Sequence, residues 1–162
     1  MNYIYLGKIV NTHGIKGEIR ILSNFKYKDK IFVPNFKIYI GKAKTEEEIN
    51  TYRHHKKFDM ITLKGYTNIN EVLKYKGLNV YFNKNDLVLE GKYLDEDLIG
   101  LIVIYNNKQI GIINRIENYD KNTLIIIKKD DKEYLIPYHD NFIENIDINN
   151  KKIIVKNIDG LI

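Results

Sequence analysis

The sequence predicts an all-β protein, two small antiparallel β-barrels in tandem with one short helix near the end of the first. Three observations predict this. Short runs of β-branched and aromatic residues, bounded by Gly, Asn or Lys-Asp clusters, recur too closely for helices to intervene. No βαβ rhythm accompanies them, and small units of closely spaced antiparallel strands favour barrels, which remove their own edges. The pattern also breaks at Asn83-Lys84-Asn85-Asp86 and then restarts with the charge reversed. Up to Glu90 there are 16 Lys/Arg against 9 Asp/Glu, a net of +7, and from Gly91 onward 10 against 12, a net of −2.

The first barrel is assigned to residues 1–84, a linker to 85–92 and the second barrel to 93–162. In the first, strands are expected at Tyr3 to Val10, Glu18 to Leu22, Lys37 to Ile40 and Asp59 to Leu63. Between the first two lies Thr12-His13-Gly14-Ile15-Lys16-Gly17, where Gly14 and Gly17 can take positive φ and the chain can reverse tightly. The charged stretches Lys26 to Lys30 and Thr45 to Glu48 are read as solvated loops. A short helix is expected over Asn68 to Tyr75, capped by Asn68 or Asn70 and stopped by Gly77, feeding a strand at Asn79 to Phe82. In the second barrel the strands are expected at Leu98 to Tyr105, Gln109 to Ile116, Thr123 to Lys128, Glu133 to Pro137, Ile143 to Ile148 and Ile153 to Val155. Asn106-Asn107-Lys108, Lys129 to Lys132 and Asp147 to Lys151 have hairpin-turn chemistry. Asp95-Glu96-Asp97 reads as a solvated strand entrance.

Composition narrows the chemistry. The chain of 162 residues has no cysteine, which removes disulfides, thiolate catalysis and Cys-based zinc sites and fits a cytosolic protein. Its start lacks the basic and apolar regions of a signal peptide, and no apolar run approaches the roughly 20 residues of a membrane span. No G-x-S-x-G elbow, Walker A or Rossmann glycine pattern occurs. His54 and His55 point to opposite faces if they lie on a strand, so they do not chelate one metal together. With Arg53, Lys56 and Lys57 they form either an RNA-facing basic patch or an edge strand protected by charge. His139 beside Asp140 reads as a loop histidine. No catalytic residue, metal or cofactor is therefore expected. The surplus of +7 suits a polyanion such as RNA, and equally a solvated lysine-rich surface.

Three blocks resemble the RimM family of ribosome maturation factors. GKIVNTHGIKGEIRI, residues 7–21, is similar to that family's opening G-x-I-x-x-x-H-G-x-x-G-E-h-R-h, where h is apolar. EGKYLDEDLIGL, residues 90–101, resembles the start of its second domain, matching at Tyr93, Asp97, Leu98, Ile99, Gly100 and Leu101. Ile136-Pro137, Phe142-Ile143, Ile146-Asp147 and Gly160-Leu161 are similar to its C-terminal markers. The family often carries two adjacent tyrosines at the start of the second domain; here Tyr93 is followed by Leu94, which lacks the phenolic donor.

The resemblance implies a six-stranded barrel similar to those of translation factors, followed by a PRC barrel. It implies a cytoplasmic, monomeric accessory factor that works without catalysis or cofactor. Such a factor binds the immature small ribosomal subunit through small-subunit ribosomal protein nineteen, and also its 16S rRNA, and assists head assembly and 16S rRNA processing. Tyr93, Leu94 and Asp97 are then the candidates for ribosomal-protein binding. His13, Lys16, Arg20, Arg53, Lys56 and Lys57 are the candidates for facing RNA, and Gly14, Gly17 and Gly100 for structural turns. Two other readings stand beside this one. One is a barrel enzyme binding a flavin or small ligand, with His13 and Lys16 as acid/base groups; the other is a PRC-barrel adaptor for a different protein.

Overall fold

In the computed structural model, which describes residues Met1–Ile162, the chain divides into two units, Met1–Val88 and Leu89–Ile162. The first holds six strands, β1 (Tyr3–His13), β2 (Glu18–Leu22), β3 (Lys37–Ile40), β4 (Thr45–His55), β5 (Phe58–Leu63) and β6 (Asn79–Asn83). They close into a barrel in the order β1-β2-β5-β4-β3-β6, every neighbouring pair antiparallel. Alternation explains the closure: on β2, Ile19 and Ile21 face inward while Glu18 and Arg20 are half-buried on the outside. Leu6, Ile9, Ile38, Ile61 and Phe82 join them in an interior filled by side chains, as expected of so small a barrel.

Helical turns complete this unit: α1 (Lys28–Ile31), α2 (Ile69–Val72), which continues as a 3-10 turn over Leu73–Tyr75, and a further 3-10 turn over Lys84–Asp86. Asn68 caps α2: its side chain accepts from the Glu71 N–H at 3.3 Å, and the Glu71 carboxylate accepts from the Asn68 N–H at 3.1 Å. Two sequence expectations fail here. Thr45 to Glu48 is not a loop but the start of β4, because its carboxylates split by alternation and each finds a partner. Glu46 and Glu48 meet Lys37 at 3.9 Å and Lys64 at 2.9 Å, while Glu47 accepts hydrogen bonds from the hydroxyls of Tyr66 and Tyr75. Lys26 to Lys30 likewise runs into α1, where Ile31 is buried in the core.

The second unit contains α3 (Asp95–Leu98), β7 (Ile102–Tyr105), β8 (Lys108–Asn118), β9 (Thr123–Lys129), β10 (Lys132–Pro137), β11 (Ile143–Asp147) and β12 (Lys152–Val155). The strands form one sheet in the order β10-β9-β8-β7-β12-β11 over a core that includes Leu98, Val103, Ile113, Ile125, Ile127 and Ile153. Its ladder departs from the all-antiparallel expectation at one place: β12 returns beside β7 in the parallel sense, pairing Ile153 with Val103. Asp95 to Asp97 is a helical turn rather than a strand entrance. Three acidic residues suit the positive end of a helical turn, and Gly100 at φ +93° then turns the chain, so β7 begins at Ile102 instead of Leu98. The turn chemistry is visible in the positive φ of Asn106, Asn107, Asp130 and Lys151.

Candidate nucleic-acid interface

The β1–β2 hairpin turn is held from both sides. Gly14 has φ +74° and open space around it, whereas Gly17 has φ +86° and a Cβ there would meet the Asn68 carbonyl oxygen at 2.8 Å. The contact is possible only for glycine. It lets the turn lie against the N-terminus of α2, where the Ile15 carbonyl accepts from the Ile69 N–H at 2.9 Å. Ile15 itself is 82% exposed at the tip.

Barrel closure brings a second hairpin alongside. β5 pairs with β2 and with β4, so Arg20, Met60 and Arg53 line up across three strands, and the β4–β5 turn with Lys56 at φ +55° lies beside the far end of β2, away from the β1–β2 turn. Arg20 donates through Nη2 to Nδ1 of His13 at 3.0 Å and lies over the Phe58 ring at 5.0 Å, with Lys57 over the same ring at 5.5 Å. His13 Nδ1 is therefore held as an acceptor, because a guanidinium can only donate. His55 sits below its ordinary range, first through partial loss of solvent and then through the nearby positive charges of Arg53, Lys56, His13 and Arg20. Residues far apart in sequence thus share one field.

One carboxylate lies within it. Glu18 takes both arms of Arg53, Nε and Nη2 each at 2.7 Å, and this bidentate pair, with His13 and His55 nearby, holds its carboxyl below the usual range. Arg53 is thereby engaged within the protein. Lys16, Lys56 and Lys57 remain exposed on the two turns. A surface of this kind offers point charges and a guanidinium to phosphate oxygens.

The opposite requirement, a buried charge, is met inside the barrel by residues that sequence reasoning passed over. Asp59, fully buried, accepts from Lys28 Nζ at 2.9 Å and from the Tyr52 hydroxyl at 2.7 Å. Tyr52 is pushed up to about 12 by burial and by this hydrogen bond. The signal was present: in Phe58-Asp59-Met60-Ile61-Thr62-Leu63 the alternation that sends Ile61 and Leu63 inward sends Asp59 inward too. These groups tie α1, β4 and β5 together.

In the second unit Tyr93 is half-buried against the core, and Leu94 is 7% exposed. Asp97 accepts from the Leu94 N–H at 3.3 Å and so serves its own helical turn. Gly100 donates its N–H to the Ile113 carbonyl at 2.8 Å. Of the residues expected to meet a ribosomal protein, Tyr93 is the one that combines an aromatic ring with accessible surface.

Both units match known families. The family model of the RimM N-terminal domain covers residues 4–87, and that of the RimM PRC barrel domain covers residues 95–161. A ribosome maturation factor RimM of Exiguobacterium sp. (strain AT1b) is 34% identical over 168 residues, spanning 100% of this chain and 98% of that protein. One of Ligilactobacillus salivarius is 39% identical over 168 residues, spanning 99% of each. A crystal structure of a RimM protein from Pseudomonas aeruginosa shares 24% identity with a TM-score of 0.49, over 95% of this chain and 96% of that one.

Proposed function

We propose, from the premise that this chain belongs to the RimM family of ribosome maturation factors, that it binds the immature small ribosomal subunit and assists assembly of its head. The observation that carries this reading is the match of both family models in order along the chain, residues 4–87 and 95–161. The protein acts in the cytoplasm as a monomer and by differential affinity: it holds one arrangement of the head, which lets 16S rRNA processing proceed, and makes or breaks no bond itself. The cationic residues of the first unit's two neighbouring hairpins, Lys16, Arg20, Lys56 and Lys57, meet rRNA phosphates. The second unit, in a stretch that is net −2 from Gly91 onward, meets the basic small-subunit ribosomal protein nineteen, with Tyr93 as an anchor.

The barrel-enzyme alternative has less support. The interior of the first unit is occupied by its own apolar side chains, and His13 is hydrogen-bonded to Arg20 rather than to a proton-accepting partner. Co-sedimentation tests the proposal directly. The protein should pellet with immature small subunits and not with mature ones, and Tyr93→Ala, if folded, should pellet less. Equal binding to mature subunits, or binding to neither, would overturn it.

A further inference from the structure

We propose that the outer face of β1, β6 and β3 is a stacking platform for unpaired RNA bases, separate from the cationic β1–β2 and β4–β5 hairpins; this rests on the reading of the first unit as RNA-facing. The register sets Tyr5, Tyr81 and Tyr39 side by side on three neighbouring strands, with Tyr3 two residues from Tyr5 on the same face. Tyr5 and Tyr81 meet edge to face at 5.9 Å, and Tyr3 and Tyr39 at 5.1 Å. Tyr39 is buried and forms the base of the cluster. Tyr3 and Tyr81 are half-buried, and Tyr5 is 52% exposed.

A single outward tyrosine is ordinary on a pleated surface. Here a cation lies over the rings as well. Lys44, held at φ +52° in the β3–β4 turn, places its ammonium 4.2 Å from the Tyr81 ring centre and 5.6 Å from that of Tyr3. Carboxylates also reach the cluster: Glu46 accepts from the Tyr39 hydroxyl at 3.5 Å and is paired with Lys37 at 3.9 Å, and the charge of Asp86 acts on Tyr39.

Aromatic faces beside an ammonium match a nucleotide, whose base stacks while its phosphate pairs with the cation. Duplex RNA keeps its base faces inside the helix, so the platform selects single strands. A peptide could stack a proline on Tyr5, but it offers no backbone anion to Lys44. The net charge of +7 up to Glu90 favours the polyanion.

The test uses the full chain and a labelled single-stranded oligouridylate of about 12 nucleotides, within the range one small barrel covers. With 13 tyrosines and no tryptophan, stacking should also quench the intrinsic tyrosine fluorescence. Tyr5→Ala should weaken binding about tenfold, in keeping with the loss of one stacked base, while Tyr5→Phe should bind as wild type. Lys44→Ala should weaken binding and make its salt dependence shallower by about 0.7 in log-log slope. Unchanged binding by a folded Tyr5→Ala, or equal affinity for a duplex of the same length, would overturn the platform. Co-sedimentation with immature subunits is run in parallel. If it succeeds where the oligonucleotide result fails, the platform alone is lost; if the wild type does not co-sediment, the proposed function is lost.

Discussion

The two units solve the same problem, closing a small strand-rich core, by different means. The first buries polar groups and pairs them: Asp59 with Lys28 and Tyr52, and Ser23, whose hydroxyl donates to the Leu6 carbonyl at 2.5 Å. The second buries an aliphatic core and keeps its ion pairs outside, as in the exposed Arg115, Glu117 and Glu133. A buried pair is costly to break and tightly specifies geometry, whereas an exposed pair contributes little. The first unit is therefore the one whose shape is pinned residue by residue. It is also the unit that sets two hairpins side by side, so that cationic residues far apart in sequence share one face.

The largest effect that would sharpen this contrast is at Gly17. Gly17→Val adds strain at positive φ and drives Cβ into the Asn68 backbone, so it should cost upwards of roughly 3 kcal/mol. Hydrogen exchange should show lost protection in β1, β2 and α2 with that of the second unit retained. Gly14→Val, which meets no neighbouring atom, should cost only about 1–2 kcal/mol. Equal effects would show that φ alone matters and that the turn is not pinned on α2.

Next in size is Asp59→Ala. Breaking a buried pair costs about 3–5 kcal/mol, and here roughly 2 is expected because Lys28 can turn to solvent. The first unit's melting temperature should fall by on the order of 10 °C. A change under about 2 °C would remove the distinction between the units.

Alkaline pH probes the same cluster more gently. The Tyr52 hydroxyl is raised from 10.0 to about 12, so the folded state holds its proton more tightly than the unfolded one. Its contribution is complete below pH 10 and is lost as pH rises toward 12. Glu18 runs the other way: its lowered carboxyl stabilises above its ordinary value of 4.5 and that contribution is lost as pH falls through the folded value. Tyr52→Phe should flatten the alkaline limb of a melting-temperature profile, and Glu18→Gln the acid limb. Unchanged limbs would detach both groups from stability.

Much of this contrast was legible in the sequence, and the rest was hidden for physical reasons. The strand runs, the Asn68 cap and the charge change after Glu90 are local signals and could be read directly. The β4 strand was masked because Glu46, Glu47 and Glu48 read as a polar run until alternation assigns them to opposite faces. The Lys28–Asp59 pair spans 31 residues, and the joining of His13 and Arg20 to His55 and Lys56 exists only once β2 and β4 flank β5. No short window of sequence contains such information. In the second unit, Asp95 to Asp97 hid a helical turn because an acidic run fits a loop as well as a helix start.

The smallest expected effect is the one that most easily breaks the comparison. Arg115 reaches Glu133 through Nη1 at 3.1 Å and Glu117 through Nε at 3.2 Å, and all three side chains are a third or more exposed. A guanidinium between two carboxylates resembles a network, and networks can contribute more than isolated pairs. Water competes for every one of these groups, however, and ordering three long side chains offsets the attraction. A double-mutant cycle of Arg115→Ala with Glu133→Ala should therefore show no coupling resolvable in the second unit's melting temperature, and added salt should not change that. A clear, salt-sensitive coupling would mean that the second unit too is held by its charges, and that exposure does not separate the two ways of closing a small core.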